Sequence, residues 1–141
     1  MTFEERLNAA LNSLGIIKEG SLYSAHYKLL NFGNENKKNH FALCIDKYSD
    51  KYNSFRTHPL TSQKTNEKRI YQVDLETDST VKLEDHQKKK SNVLLFLIRK
   101  IEYKDLTKTE LISHKGELLP SIFVDFKRAK RKLILNYLGR K

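Results

Sequence analysis

Between residues 20 and 104 the apolar side chains come in short runs, each closed by a polar loop. Residues 41–45 are continuously apolar, which predicts a buried strand. Residues 21–30 and 54–60 carry further strand-like runs, and Ile70, Tyr71, Val73 and Leu75 continue the pattern over 69–75. Residues 92–101 predict the strongest strand. Helical spacing is confined to the two ends. Thr2 with Glu5 fits a capping box, and Phe3, Leu7, Ala10, Leu11 and Leu14 recur on one face before Gly15. Residues 106–113 predict a short helix. Ile122, Phe123, Phe126, Ala129, Leu133 and Tyr137 predict a longer one, with Lys130 interrupting its apolar stripe. Many short strands and few helices predict a mainly β, α+β fold, a small twisted sheet or barrel. With 141 residues, 1–141 fits a single domain: an N-terminal helix over 1–15, strands over 20–104 and a helical part over 105–141.

The net charge is +10 and the isoelectric point near 9.6. Such a charge attracts polyanions: nucleic acid, an acidic protein or an anionic membrane surface. The longest apolar run, 93–98, is far short of the roughly 20 residues that span a bilayer. Glu4 and Glu5 spoil the basic-then-apolar plan of a signal peptide. The single cysteine, Cys44, forms no internal disulfide, which suits a reducing cytoplasm, and its apolar run predicts a packing thiol. No Cys/His cluster or glycine-rich phosphate loop is present, and Asp46, Asp50, Asp74 and Asp78 have no metal-site spacing. We therefore expect no metal and no cofactor.

Three segments, in order, resemble the MazF/PemK (Kid) family of toxin ribonucleases. Lys38-Asn-His-Phe-Ala-Leu-Cys-Ile45 resembles the family's basic residue, Arg-Pro and apolar strand. His58-Pro-Leu-Thr-Ser62 is similar to its Pro-Leu/Ile-Thr segment at a strand end. Ser91-Asn-Val-Leu-Leu-Phe-Leu-Ile-Arg-Lys-Ile-Glu102 is similar to its apolar strand with an Ile-Arg ending, and Gly116-Glu-Leu stands where the family has Gly-x-Leu before the last helix. The resemblance covers roughly residues 20 to 135. It implies a small SH3-like β-barrel with flanking helices and a homodimer. It also implies metal-independent cleavage of single-stranded RNA, restraint by a cognate antitoxin, and a role in growth arrest or phage defence.

Cleavage of RNA without metal needs a group to take the proton of the 2′-hydroxyl and another to protonate the leaving 5′-oxygen. It also needs cationic or hydrogen-bonding groups around the phosphate. The family's catalytic Arg slot holds Asn39-His40 here. Asparagine is no acid, whereas histidine titrates near pH 6.5, so His40 is the candidate substitute. The resemblance makes Thr61 and Ser62 candidates for holding the scissile phosphate, although the same residues are good turn chemistry. His58 is a second acid–base candidate. Arg56, two positions earlier on the same strand, should share its face. Arg99 matches the family's Ile-Arg arginine and is a candidate phosphate contact. Lys88, Lys89 and Lys90 are further candidates for RNA phosphates, as is the basic stretch 127–132, which would equally suit an acidic antitoxin. Tyr23, Tyr27, Tyr48, Tyr52 and Phe55 could stack on bases, though most should be core. A competing reading is a non-catalytic basic module that holds nucleic acid or protein: a degenerate MazF-like protein or a mobile-element accessory protein.

Overall fold

The computed structural model describes residues 2–3, 5–7, 17–32, 37–61, 70–74, 80–81, 90–108 and 110–139. The strands are β1 (Ser21–Ala25), β2 (His40–Cys44), β3 (Ser54–Thr61), β4 (Ile70–Asp74), β5 (Thr80–Val81), β6 (Lys90–Leu94), β7 (Arg99–Glu102) and β8 (Ile112–Leu118). A one-turn helix α1 (Tyr27–Leu30) follows β1, a 3-10 helix (Tyr103–Thr107) follows β7, and the long helix α2 (Pro120–Gly139) closes the chain. All the strands join one antiparallel sheet in the order β4-β6-β3-β2-β1-β8-β5, with β7 also paired to β3. The architecture is mainly β with helices, as the sequence predicts. The sheet does not close on itself among the described residues, since β4 and β5 stand at its two ends.

Strand register sorts the apolar residues onto two faces. Leu22 lies opposite Leu43, and Tyr23 opposite Ala42. Because side chains alternate along a strand, the two pairs point to opposite sides. Leu22 and Leu43 join Leu60, Val93, Phe123 and Phe126 in one buried cluster, beneath α2. Tyr23 and Ala42 join Phe55, Ile101, Leu30 and Tyr103 in another, covered by α1 and the 3-10 helix. A strand buried on both faces reads as an unbroken apolar run, which is why 41–45 does. Gly20, with φ at +93°, turns the chain into β1; a side chain there would be strained and would meet the Phe123 ring at 3.5 Å.

Three expectations change. The apolar run 92–101 is two strands, not one. Leu60 pairs with Val93 and Thr57 with Arg99. The chain between Val93 and Arg99 is therefore longer than its partner, and the surplus leaves the ladder as a bulge, with a turn closed by Leu97 N–H on the Leu94 carbonyl (3.2 Å). Phe96 and Ile98 are exposed on it. The predicted helix 106–113 is instead the end of the 3-10 helix followed by β8. Leu106 packs against the second cluster and Ile112 is buried within it, so packing against the sheet overrides local helical spacing. Residues 21–30 form β1 and then α1, with the His26 side chain accepting from Lys28 N–H as the helix cap. At the N-terminus residues 3 and 5–7 are helical, and Glu5 N–H donates to Thr2 Oγ1 at 3.1 Å, as a capping box requires. The rest of the predicted helix, 8–15, lies outside the described residues.

Phe126 ties α2 to the sheet: its ring centroid lies 5.5 Å from Phe123, 5.8 Å from Tyr71 and 5.9 Å from His58. Replacement by Ala should destabilise the fold by about 3–5 kcal/mol, as core aromatic truncations do. Urea unfolding checks it; a loss below about 1 kcal/mol would show that α2 is not anchored there.

Candidate active site

His40 opens β2, half-buried. Its Nδ1 lies 3.1 Å from the Leu60 carbonyl oxygen. A carbonyl only accepts, so Nδ1 carries the proton, and in the neutral ring the lone pair is left on Nε2. The ring meets Phe32 edge-on at 4.9 Å. The β2–β3 register, which pairs Ala42 with Pro59, brings His40 opposite Thr61 when carried to the strand ends. On the other side of β3, Thr61 lies opposite Asn92 of β6. Thus His40, Thr61 and Asn92 stand in a row across three neighbouring strands. Asn92 is buried, just before the apolar run 93–98. A polar residue at the start of a predicted strand was the only signal the sequence carried for it.

Arg99 opens β7 directly opposite Thr57. Alternation puts Thr57 and Thr61 on one face of β3, four residues or on the order of 13 Å apart. One Arg99 nitrogen donates to the Ile98 carbonyl at 3.3 Å. Its Nε is buried and meets no hydrogen-bond partner among the described residues. A buried guanidinium N–H left in this way suits an incoming acceptor such as a phosphate oxygen.

His58 and Arg56 do share a face, but it is the face beneath α2. His58 is fully buried against Phe126. Its Nδ1–H donates to the Leu97 carbonyl at 2.6 Å, inside the bulge between β6 and β7. Beside it Thr57 Oγ1 donates to the Arg99 carbonyl at 2.9 Å. The His58 side chain therefore satisfies a backbone group that the bulge leaves out of the ladder, and Thr57 ties the first residue of β7 to β3. Burial holds the His58 pKa down at about 4, with the charges of Lys130 and Arg56 adding to it; the backbone carbonyls of Leu97 and Leu94 pull the other way. Such a ring is neutral at pH 7 and shielded from solvent, the state of a packing group.

Arg56 lies at the exposed end of that face. Its guanidinium grips Asp46 through Nε (3.1 and 3.2 Å) and one terminal nitrogen (2.8 Å), and its backbone N–H donates to the same carboxylate at 2.8 Å. Partial burial would raise the Asp46 carboxyl, but these hydrogen bonds and the Arg56 charge outweigh it and hold the group below its usual range. Nothing in the sequence marks Asp46 as the partner of Arg56. Ser62, Lys88 and Lys89 lie outside the described residues, and Lys90 is the first residue of β6. Of the aromatic candidates, Tyr23 and Phe55 are core, while Tyr52 is 68% exposed. Cys44 is buried, and burial pushes its thiol up to about 12, with Sγ donating to the Asp46 carbonyl at 3.2 Å.

The sequence pattern of the PemK-like, MazF-like toxins of type II toxin–antitoxin systems matches residues 18–129. The chain belongs to this family. The matched segment of this PemK-like toxin takes in every strand and the first half of α2, with Phe123 and Phe126. It leaves out the N-terminal helical turn and the outer half of α2. No curated protein matches the toxin. No helix among the described residues is long and apolar enough to cross a membrane.

The buried His58 should make the toxin acid-sensitive. Its pKa is lower folded (about 4) than unfolded (about 6.5), so the unfolded chain binds more protons between those values. Stability from this group is complete above about pH 6.5 and is lost as pH falls toward 4, by up to about 3 kcal/mol. Urea midpoints at pH 7 and pH 5 should differ accordingly. A His58→Asn chain should be less stable at pH 7 and show a flatter pH dependence; an unchanged slope would remove His58 as its source.

Proposed function

We propose that this toxin is an endoribonuclease that cleaves single-stranded RNA without metal, with His40 and Thr61 at the chemistry. The observation that carries the reading is the hydrogen bond from His40 Nδ1–H to the Leu60 carbonyl. It holds the tautomer that leaves the lone pair on Nε2, an atom shielded from solvent in the free protein, and keeps the ring at the end of β3 beside Thr61. In this reading Nε2 accepts the proton of the 2′-hydroxyl as the oxygen attacks phosphorus; the bond from phosphorus to the 5′-oxygen breaks, a 2′,3′-cyclic phosphate is left, and the departing 5′-oxygen takes its proton from water. Thr61, with Ser62, donates to a phosphoryl oxygen. Arg99, opposite Thr57 and on the order of 13 Å along the strand from Thr61, offers its Nε–H to a different phosphate of the same RNA. His58 is kept out of the chemistry, because its ring is engaged inside the fold. Lys88, Lys89 and Lys90 supply further phosphate contacts.

A second reading has one specific observation in its favour. The family's catalytic Arg slot holds Asn39-His40, which fits a basic module that binds RNA without cutting it.

The reading includes a homodimer resident in the cytoplasm and an acidic antitoxin. The outer half of α2 supports the antitoxin: Ile134, Leu135, Tyr137 and Leu138 are all about half exposed, with Lys127, Arg128, Arg131 and Lys132 alongside. Exposed apolar groups clustered in this way mark interaction surfaces, and the basic flank complements an acidic segment.

Incubation with a long single-stranded RNA in EDTA tests the central claim. The native toxin should yield discrete fragments. His40→Ala should lower the rate by about 10²–10⁴-fold, the usual value of a general acid–base group. Thr61→Ala should also slow cleavage while leaving the fold intact by circular dichroism. Intact RNA in every lane, with binding retained, would establish the second reading.

A further inference from the structure

A cleft on the opposite side of the molecule from the His40–Thr61 row has no part in the chemistry above. It lies between the loop after β2 and the outer ends of β3 and β7, with a volume of about 330 Å³. That is within the range of small-ligand sites, about 300–1,000 Å³. Its walls are Tyr52, Arg56, Lys47, Lys100, Ser49 and Ser54, with Asp46 at its side.

Cations gather at this cleft: Arg56, Lys47 and Lys100 all line it. Arg56 and Lys100 are direct cross-strand partners on β3 and β7. Like charges so placed repel. Lys130 approaches the same point from α2; burial lowers its pKa, and the Arg56 charge lowers it further. Among the described residues one carboxylate, Asp46, lines the cleft, and Arg56 already occupies it through a bidentate grip. Lys47 and Lys100 make no ion pair among the described residues. Such a cluster is relieved by a bound anion.

The aromatic wall narrows the kind of anion. Tyr52 is 68% exposed, although burying its ring would contribute to stability. Its backbone N–H approaches the Ser49 carbonyl at 3.5 Å, across the turn that carries it to the rim. An exposed ring beside paired cations and hydroxyls offers a base a stacking surface and a phosphate its counter-charges. A bare phosphate would leave the ring unused; an apolar ligand would leave the cations unanswered.

We infer that this cleft is a nucleotide-binding subsite, in which Tyr52 stacks on a base and Lys47, Lys100 and Arg56 hold its phosphate. The occupant is one nucleotide of a single-stranded RNA, outside the segment that is cut; in that respect the inference rests on the RNA reading of the toxin. The subsite adds affinity and leaves the chemical step alone.

Titration of the full chain with uridine 5′-monophosphate, followed by amide NMR shifts, tests the subsite without reference to cleavage. Shifts should concentrate at residues 46–56 and 99–101. Tyr52→Ala should weaken binding about five- to hundredfold, the value of one base stack, while Tyr52→Phe should retain it. Lys100→Ala should weaken it too and reduce its salt dependence. Inorganic phosphate and uridine serve as controls. Shifts with phosphate as large as with the nucleotide, and no effect of Tyr52→Ala, would identify a plain anion site and overturn the inference, as would no shifts at all. With long RNA, Tyr52→Ala should raise KM and leave kcat unchanged; a fall in kcat alone would contradict the assignment. If RNA is not cut, the titration still decides the subsite, so the two claims fail separately.

Discussion

One hydrogen bond, from His58 to the Leu97 carbonyl, lies where the principal parts of the molecule meet. β3 has β2 along one side and two successive strands along the other. The chain can serve β3 twice only if it bulges between β6 and β7, and a bulge leaves carbonyl groups unpaired inside the protein. An unpaired buried carbonyl costs about 1–3 kcal/mol. His58 meets that need at 2.6 Å, and Phe126 of α2 then covers the ring. The helix, the bulge and the central strand are thus joined at a single imidazole. Arg99 opens β7 just beyond the bulge, so its place beside Thr57 depends on the same arrangement.

Much of the fold was legible as apolar rhythm. The run at 41–45 became β2 because a strand covered on both faces needs little polar alternation. The more polar 54–60 became β3, with Thr57 and His58 buried against backbone carbonyls. The long terminal helix followed from its spacing. Other elements were not legible, for identifiable reasons. Residues 92–101 read as one strand because composition is silent about the length of the partner edge; only register reveals the surplus residues. Residues 106–113 carry helical spacing, but Ile112 is buried in the second core cluster and tertiary packing decides the matter. His58 illustrates the same limit for chemistry. As a residue type it suggests acid–base work, yet whether an imidazole faces solvent or a backbone carbonyl is a property of pairing that sequence does not display.

The candidate site was partly legible. Position picked out His40 and Thr61, and the β2–β3 register brings them to the same end of two neighbouring strands. The identity of the basic nitrogen required the Leu60 carbonyl, a backbone group with no sequence signature. Arg56 was found as a basic residue on β3, but its partner Asp46 and its like-charged neighbour Lys100 lie on other segments of the chain. Charge counts report an excess of cations; they do not report which cations are forced together. Across this sheet the two are separable: the unpartnered guanidinium nitrogen of Arg99 lies on one face, and the Arg56–Lys100 pair on the other.

The buried Cys44 bears on how such a protein can be restrained. Oxidants and electrophiles react with thiolates, and a thiol pushed up to about 12 is almost wholly protonated at physiological pH. It is also closed off from solvent at the centre of the sheet. The chain has no other cysteine. The one thiol of this chain is therefore insulated from the redox state of its surroundings. An oxidant or electrophile could reach Cys44 only after the sheet around it had opened.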